Sequence, residues 1–439
     1  MNSTWKQPYL LLKQLVPFKK DTQQNRSGNT SDVSPESREK IRILLVITRL
    51  TIGGDTNVVL DIASYFHSHP DFEAHLAVGP VPENEIDLTY LASERAIPIK
   101  IIPTLVNRIN PWLNLRSILE LHAHIRQEKY DIVHTHSSVA GVIGRLAAVT
   151  ARVPVIVHHV HGWGIQEDMS KKVRMLYLAL ERFCARFTKR MIAVSRPTIE
   201  KGLAYRICPE DKFALIYNGI HVESFQQPID RLKVYSELGL DADCKIVGMI
   251  GRLDKQKNPL DFIRAAAMVL QEYPTVQFLI AGDGSLRSEC ERLINDLNLA
   301  NRFFLLGYRN DIHKILPTLT LTALSSLWEG LPVVFQEAMS AGKPIVTNDI
   351  DGARDVIING ETGYLVTPRQ PREMADRILD LLNNNELCYA MGMNAKQSSA
   401  RFSRQRMFKE IELLYRELLT EAPSGQLFQI QNTGRKIQK

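Results

Sequence analysis

Glu329 and Glu337 stand eight positions apart in "WEGLPVVFQEAMSAGKPIV" (328–346), where strand-like character gives way to helix-like character. A helix starting near Val333 leaves Glu329 in the loop before it. Glu337 then falls about one turn inside, with the first-turn amides open to a ligand. Carboxylates accept hydrogen bonds from paired hydroxyls and a helix N-terminus favours an anion, so the stretch suits a ligand with polyol and phosphate parts. In "GRLDKQKNP", Arg252 and Lys257 offer a guanidinium fork and a mobile ammonium that can neutralise a diphosphate; the plain alternative is a solvated basic loop.

Two further groups could carry chemistry. Gly53 and Gly54 in "TRLTIGGDTNVVLDIA" lie between a strand-like run and a helix-like run, where missing side chains let backbone amides approach an anion, or simply serve the turn. The pattern is neither a Walker loop nor Gly-x-Gly-x-x-Gly, which argues against a P-loop NTPase and a nicotinamide enzyme. His134 and His136 in "HTHS" share one strand face, as do His159 and His161 in "VHHVHGWG". No acid or cysteine stands at ligand spacing beside them, so no metal is expected, and His161, just before Gly162, is the histidine best placed to reach a cleft.

These residues need a scaffold that gathers loops. Beyond residue 40, short β-branched runs alternate with longer helix-like segments, the signature of strand-helix-strand units in a parallel sheet. Strands are expected at 41–47, 73–79, 97–103, 131–137, 154–162 and 190–195, then at 245–253, 276–282, 302–307, 319–325 and 343–349. Helices are expected at 56–68, 115–128, 139–150, 171–187, 259–272, 285–298 and 333–341. The chain therefore divides into a leading segment and linker (1–40), a first α/β domain (41–222), a second (223–405), and a crossover helix with an unstructured tail (406–439). In open parallel sheets ligands bind at the carboxyl ends of the strands, where every candidate above falls.

At 439 residues the chain has length for two cores, and 44% hydrophobic with 23% charged residues is an ordinary globular composition. Five scattered cysteines with no Cys-x-x-Cys argue against a disulfide framework and fit a reducing cytosol. A net charge of +6 is weak for a nucleic-acid binder, so no nucleic acid is expected. No apolar run reaches the ~18–20 residues of a membrane span. Residues 1–20 carry lysines at 6, 13, 19 and 20 and no acid, interleaved with Trp5, Tyr9, Leu10, Leu11, Leu12, Leu15 and Phe18. That mixture suits peripheral contact with an anionic membrane surface, or a disordered or partner-docked tail.

Taken in order, Gly53-Gly54, "VHG", "AVSRPTIEKGL", "IYNGIHVESF", "GRLDKQKNP", "IAGDGSLR", "LLGYRNDI" and "EGLPVVFQEAMSAGKPIV" resemble glycosyltransferase family 4, from about residue 41 to about 420. The resemblance implies the GT-B fold, two Rossmann-like domains facing each other across a cleft. It implies a retaining, metal-independent hexosyltransferase that needs no cofactor and takes its sugar from a nucleoside diphosphate, UDP by family frequency and GDP second. By the same resemblance Arg252 and Lys257 hold the donor diphosphate, Glu329 contacts the sugar, Glu337 binds the ribose, and His161 lies near the reaction centre. Gly330, Leu331, Val333 and Val334 cradle sugar and phosphate. Tyr308 and Arg309 flank the base beside Gly282 and Gly284, and Gly53 and Gly54 approach phosphate and acceptor.

"HTHSSVAGVIGRLAA" and "LALERFCARFTKRMIAVS" resemble the exopolysaccharide and capsule type of transferase. That implies a lipid-linked or glycan acceptor and a cytoplasmic enzyme, peripheral on the membrane face. A glycolipid-forming transferase, a GT-B-like epimerase or phosphorylase, and a non-catalytic sugar-nucleotide-binding protein are the alternatives. Two positions depart from the family pattern. Asp55 follows the glycine pair where small residues are common, and "NDIDGARDVI" has Asp351-Gly352 and Asp355 in place of a glycine pair and a glutamate.

Overall fold

The computed structural model describes residues 40–83, 85–107, 110–165 and 169–421. The expectations for the leading segment and for the tail after 421 lie outside them. Two all-parallel sheets organise the described chain. The first has seven strands in the order β3-β2-β1-β4-β5-β6-β7: β1 Ile41–Ile47, β2 Phe72–Val78, β3 Ile99–Ile101, β4 Ile132–His136, β5 Val155–Val160, β6 Arg190–Ala193 and β7 Phe213–Leu215. The second has six in the order β10-β9-β8-β11-β12-β13: β8 Ile246–Ile250, β9 Gln277–Ala281, β10 Phe303–Leu305, β11 Leu321–Leu324, β12 Ile345–Asn348 and β13 Gly363–Val366. The fold class is therefore α/β with two Rossmann-like sheets.

Runs such as "ILLVI" and "IVGMI" are buried throughout, as strands covered by helices on both faces must be. In each sheet the order reverses once, between β1 and β4 and between β8 and β11. Loops leaving neighbouring strands diverge at that point and open a crevice, so the chain after β1, β8 and β11 is where a ligand fits. The runs that became β7 and β13 had not been expected to form strands. Both are short edge strands with half-buried residues, "FAL" and "GYLV", too brief to show a period. Helices Arg196–Ala204, Arg231–Leu238, Pro371–Asn383 and Asn385–Ser398 had not been expected either.

Helix Arg404–Glu421 runs back to the first sheet. Seven of its side chains, from Met407 to Leu419, are buried, within the same hydrophobic cluster as β1, β2 and helix Gly54–Ser68. Tyr65 and Phe408 stack with ring centroids 4.5 Å apart. At roughly 1.5–3 kcal/mol per large apolar side chain, that burial amounts to about 10–20 kcal/mol before entropy is counted. The first core is incomplete without this helix.

Candidate functional site

The loop after β8 turns on its own side chains. Asp254 accepts from Lys257 N at 2.9 Å and faces Arg252 Nε at 3.1 Å, while Arg252 Nη2 donates to Gln256 Oε1 at 3.1 Å. Pro259 then opens helix Pro259–Glu272, where its missing N–H costs nothing. Leu327 N donates to Gln256 O at 2.8 Å, and Gln256 Nε2 donates to Trp328 O at 2.9 Å and Glu329 Oε2 at 3.2 Å. Ser325 Oγ, at the end of β11, donates to Asn258 O at 2.7 Å. These contacts fasten the loops after β8 and β11 together, and within them Lys257 Nζ and Glu329 Oε1 form a mostly buried ion pair. Two residues expected to grip different parts of one ligand are thus held against each other, and Gln256, which sequence reasoning passed over, clamps them.

Helix Val333–Ser340 begins where the sequence placed it. Glu337 is partly buried inside it, and burial alone pushes its carboxyl up to about 7. Leu331 and Val334 are buried beneath the loop, and Val333 lies beside the first domain. A Cβ on Gly54 would come 2.8 Å from Val333 Cγ2. Gly330 is pressed closer still: a Cβ there would sit 1.9 Å from His161 O, so any side chain would push the two halves of the site apart. Gly282, at φ +155, has a similar constraint within its own domain, since a Cβ would fall 1.9 Å from Gly251 O. Gly284 lies against Leu253, Tyr308 is exposed at the end of β10, and Arg309 is forked onto Asp311 at 2.9 and 2.6 Å. The structure brings Gly53, Gly54, His161, Gly330 and Val333 to one place, with Lys257 and Glu329 adjoining through the same loop.

His161 ends an imidazole stack. His134 and His136 of β4 lie beside His159 of β5 and His161 just past it. His159 and His161 stack at 4.3 Å with planes 7° apart, and His134 and His159 at 5.5 Å with planes 9° apart. His136 Nδ1 and His161 Nε2 share a hydrogen bond of 3.0 Å, and His134 Nδ1 bonds Tyr415 of the returning helix at 2.6 Å. Burial first, and the neighbouring imidazoles second, hold these rings neutral: His134 is pushed down to about 3, with His136 and His159 also well below the usual range, and His158, outside the stack, is lowered by burial and then by Arg145. His161 is lowered too, with Asp55 pulling the other way.

Donor atoms of His134, His136 and His159 lie within 4.8 Å of one another, close enough for a metal on distance alone. Of these rings His134 and His159 are nearly parallel, with planes 9° apart, while His136 is tilted by 37° and 30° from them. The alternation of histidines had revealed the shared face. The tyrosine at its far end, 281 residues along the chain, had no local signal.

The two departures find partners. Asp55 starts the helix after Gly53-Gly54 and its charge reaches His161. Asp355 accepts from Arg196 N at 2.9 Å, Asp351 pairs with Lys201 at 3.3 Å, and Ser195 Oγ donates to Gly330 O at 3.0 Å, so helix Arg196–Ala204 grips the second domain. Asp349 is held by Arg354 at 2.6 Å. Beside His161, Ser137, Ser138, Trp163, Gly164, Tyr177 and Glu181 line a small pocket.

Two parallel sheets whose carboxyl edges bring a histidine loop, a basic loop and a glutamate-bearing helix start together define a GT-B glycosyltransferase. The family profile described as Glycosyltransferase Family 4 matches residues 52–224, and Glycosyl transferases group 1 matches 231–398. The chain is 35% identical over 296 residues, 65% of its length and 76% of the relative's, to UDP-Gal:alpha-D-GlcNAc-diphosphoundecaprenol alpha-1,3-galactosyltransferase of Escherichia coli. It is 26% identical, over 70% of its length and 82% of the relative's, to the capsular polysaccharide biosynthesis glycosyltransferase CapM of Staphylococcus aureus. The crystal structure of Anabaena Alr3699/HepE in complex with UDP-glucose superimposes with a TM-score of 0.74 at 25% identity, over 86% of this chain and 99% of that one. The chain belongs to glycosyltransferase family 4.

Proposed function

We propose that the protein transfers a hexose or N-acetylhexosamine, with retention of anomeric configuration, from a UDP-sugar to a lipid-linked or glycan acceptor in exopolysaccharide or other cell-surface polysaccharide synthesis. It works in the cytoplasm at the membrane face. The observation that carries this reading is the fastening of the Lys257 and Glu329 loops at the reversal point of the second sheet, against His161 of the first. The relatives' names, with UDP-galactose and a diphosphoundecaprenol-linked sugar in one and capsular polysaccharide in another, support the donor and acceptor classes.

Breaking the bond from the anomeric carbon to a diphosphate builds negative charge on the leaving phosphate and positive charge on the sugar. Arg252, Lys257 and the first-turn amides of helix Val333–Ser340 face the growing negative charge, in the role a divalent cation plays elsewhere. In this reading Glu329 binds sugar hydroxyls and Glu337 binds the ribose. Among the described residues no helix is long and apolar enough to cross a membrane, in keeping with a peripheral enzyme.

The test is nucleotide release from UDP-, GDP- and ADP-sugars, with and without lipid-linked acceptor extract, in wild type and Glu329→Ala. Acceptor-dependent release from a UDP-sugar, lost in the variant, is expected. Release that ignores the acceptor, or survives the substitution in folded protein, overturns the reading.

A further inference from the structure

Asp55 has His161 for a neighbour but nothing to bond. It is the second residue of helix Gly54–Ser68 and half-buried, yet among the described residues its carboxylate makes no hydrogen bond and no ion pair. Its Oδ1 lies 2.5 Å from the point that a Cβ on Gly53 would occupy, so the group is folded back over the glycine pair. A carboxylate drawn partly out of water ordinarily sits beside a cation or accepts several N–H bonds. A first-turn acid does favour the helix dipole, which is the plain structural use of Asp55.

Its surroundings point to a ligand as well. A Cβ on Gly54 would press on Val333 and one on Gly330 would press on His161 O, so Asp55, His161 and the start of helix Val333–Ser340 meet along one seam. His161 Nε2 is taken by His136, while His161 Nδ1 is buried without a partner, and the Asp55 charge is felt at that ring. Two unfilled hydrogen-bonding groups therefore adjoin. An ionised carboxylate only accepts, so its ligand must donate, and a diphosphate of like charge is repelled from it. The diphosphate belongs across the seam, with Arg252, Lys257 and the Val333 helix start. A hydroxyl fits the gap, because it can donate to Asp55 and offer its lone pairs to the imidazole N–H.

We propose that Asp55 is a specificity-determining residue for the acceptor: with His161 it binds one hydroxyl of the acceptor sugar and so selects which sugar is presented to the donor. The proposal rests on the transferase function above. Hydroxyls of the donor sugar are left to Glu329 on the second domain, and Asp55 reads the acceptor from the first. A small residue at this position, the family's common choice, has no side chain to make that contact.

The experiment is isothermal titration of the full chain, saturated with UDP, using a short-chain lipid diphosphate that bears N-acetylglucosamine and the mono-deoxy analogues of that sugar. Wild type, Asp55→Ala and Asp55→Glu are compared. Removal of one particular hydroxyl should weaken wild-type binding about tenfold or more, and should cost Asp55→Ala nothing further, since its partner has gone. Asp55→Ala should bind the parent compound about tenfold more weakly, with UDP affinity no lower than in wild type. Asp55→Glu keeps a first-turn acid but shifts the carboxylate by one methylene. A role confined to the helix dipole predicts wild-type acceptor binding in that variant; a loss of about tenfold at an unchanged thermal midpoint is expected instead. Acceptor affinity unmoved in Asp55→Ala, UDP affinity falling as far as acceptor affinity, or equal deoxy penalties in both proteins overturns the proposal, as does a wild type that binds none of these compounds. A wild type that binds them and shows the Asp55 effect, yet turns over none with any nucleotide sugar, leaves the contact standing and sinks the transferase function alone.

Discussion

Acidification acts directly on the buried imidazoles of β4 and β5. His134, His136, His158 and His159 are neutral in the folded protein, with His134 pushed down to about 3 and the others well below the usual range. In the unfolded chain each titrates near 6.5, so below that pH the unfolded state binds more protons and stability falls as pH falls. At pH 5 each histidine that stays neutral costs about 2 kcal/mol, so four cost about 8. Glu337 opposes them. Its folded value of about 7 lies above the unfolded value, so the folded state gains a proton and about 2 kcal/mol over the same interval. From these five groups the loss between pH 8 and pH 5 is about 6 kcal/mol, a large part of a typical stability of ~5–15.

Urea titrations followed by tryptophan fluorescence at half-unit steps of pH would measure this. His159→Phe keeps a flat ring in the stack and orphans no partner, because neither nitrogen of His159 has one. It should remove about 2 kcal/mol of the pH-dependent loss, whatever its packing cost at pH 8. Stability that stays level from pH 8 to 5, or a pH dependence identical in His159→Phe, would refute neutral burial of the stack.

Lys257→Ala should lower turnover about 100-fold or more while the protein stays folded; near-normal turnover would sink its assignment to the leaving diphosphate. If ribose hydroxyls donate to Glu337, UDP should bind about tenfold more tightly at pH 8 than at pH 6, as the carboxyl ionises around its value of about 7; isothermal titration of Glu337→Gln should show that dependence flattened. Gly330→Ala forces a methyl against His161 O, so kcat should fall at least tenfold with the thermal midpoint nearly unchanged; unaltered kinetics would mean the two loops part freely. Glu181→Gln strands the buried Arg145 charge and should cost about 3–5 kcal/mol in a urea titration, far more than a surface pair would.

Much of this architecture could be read from the chain before any coordinates, and the exceptions have physical reasons. Helix 259–272 was expected residue for residue, because Pro259 and a long apolar periodicity mark both ends. Strands such as β1 and β8 announced themselves as buried β-branched runs. Edge strand β7 did not, since three half-buried residues carry no pattern. Residue types and strand-end positions singled out His161, Lys257 and Glu329, and the family resemblance singled out Gly330; the structure sets the four in adjoining loops. Local sequence said nothing of Lys257 pairing with Glu329, of Gln256 clamping them, or of Ser195 reaching Gly330, since those contacts join loops 70 or more residues apart. Asp55 and Asp351 were noticed as departures, and only their neighbours in space, His161 and Lys201, explain their charge.

The helix Arg404–Glu421 also sets the order in which the protein can come into being. Tyr65 waits for Glu412, 347 residues later, and at ribosomal speeds of ~5–20 residues per second that interval lasts roughly 20–70 s. Throughout it the first domain presents the apolar bed that Phe408, Ile411 and Tyr415 will cover. The second domain has every strand of its own sheet before that helix emerges, so the half made first is the half finished last, and its exposed bed is a natural place for a chaperone to hold the nascent chain.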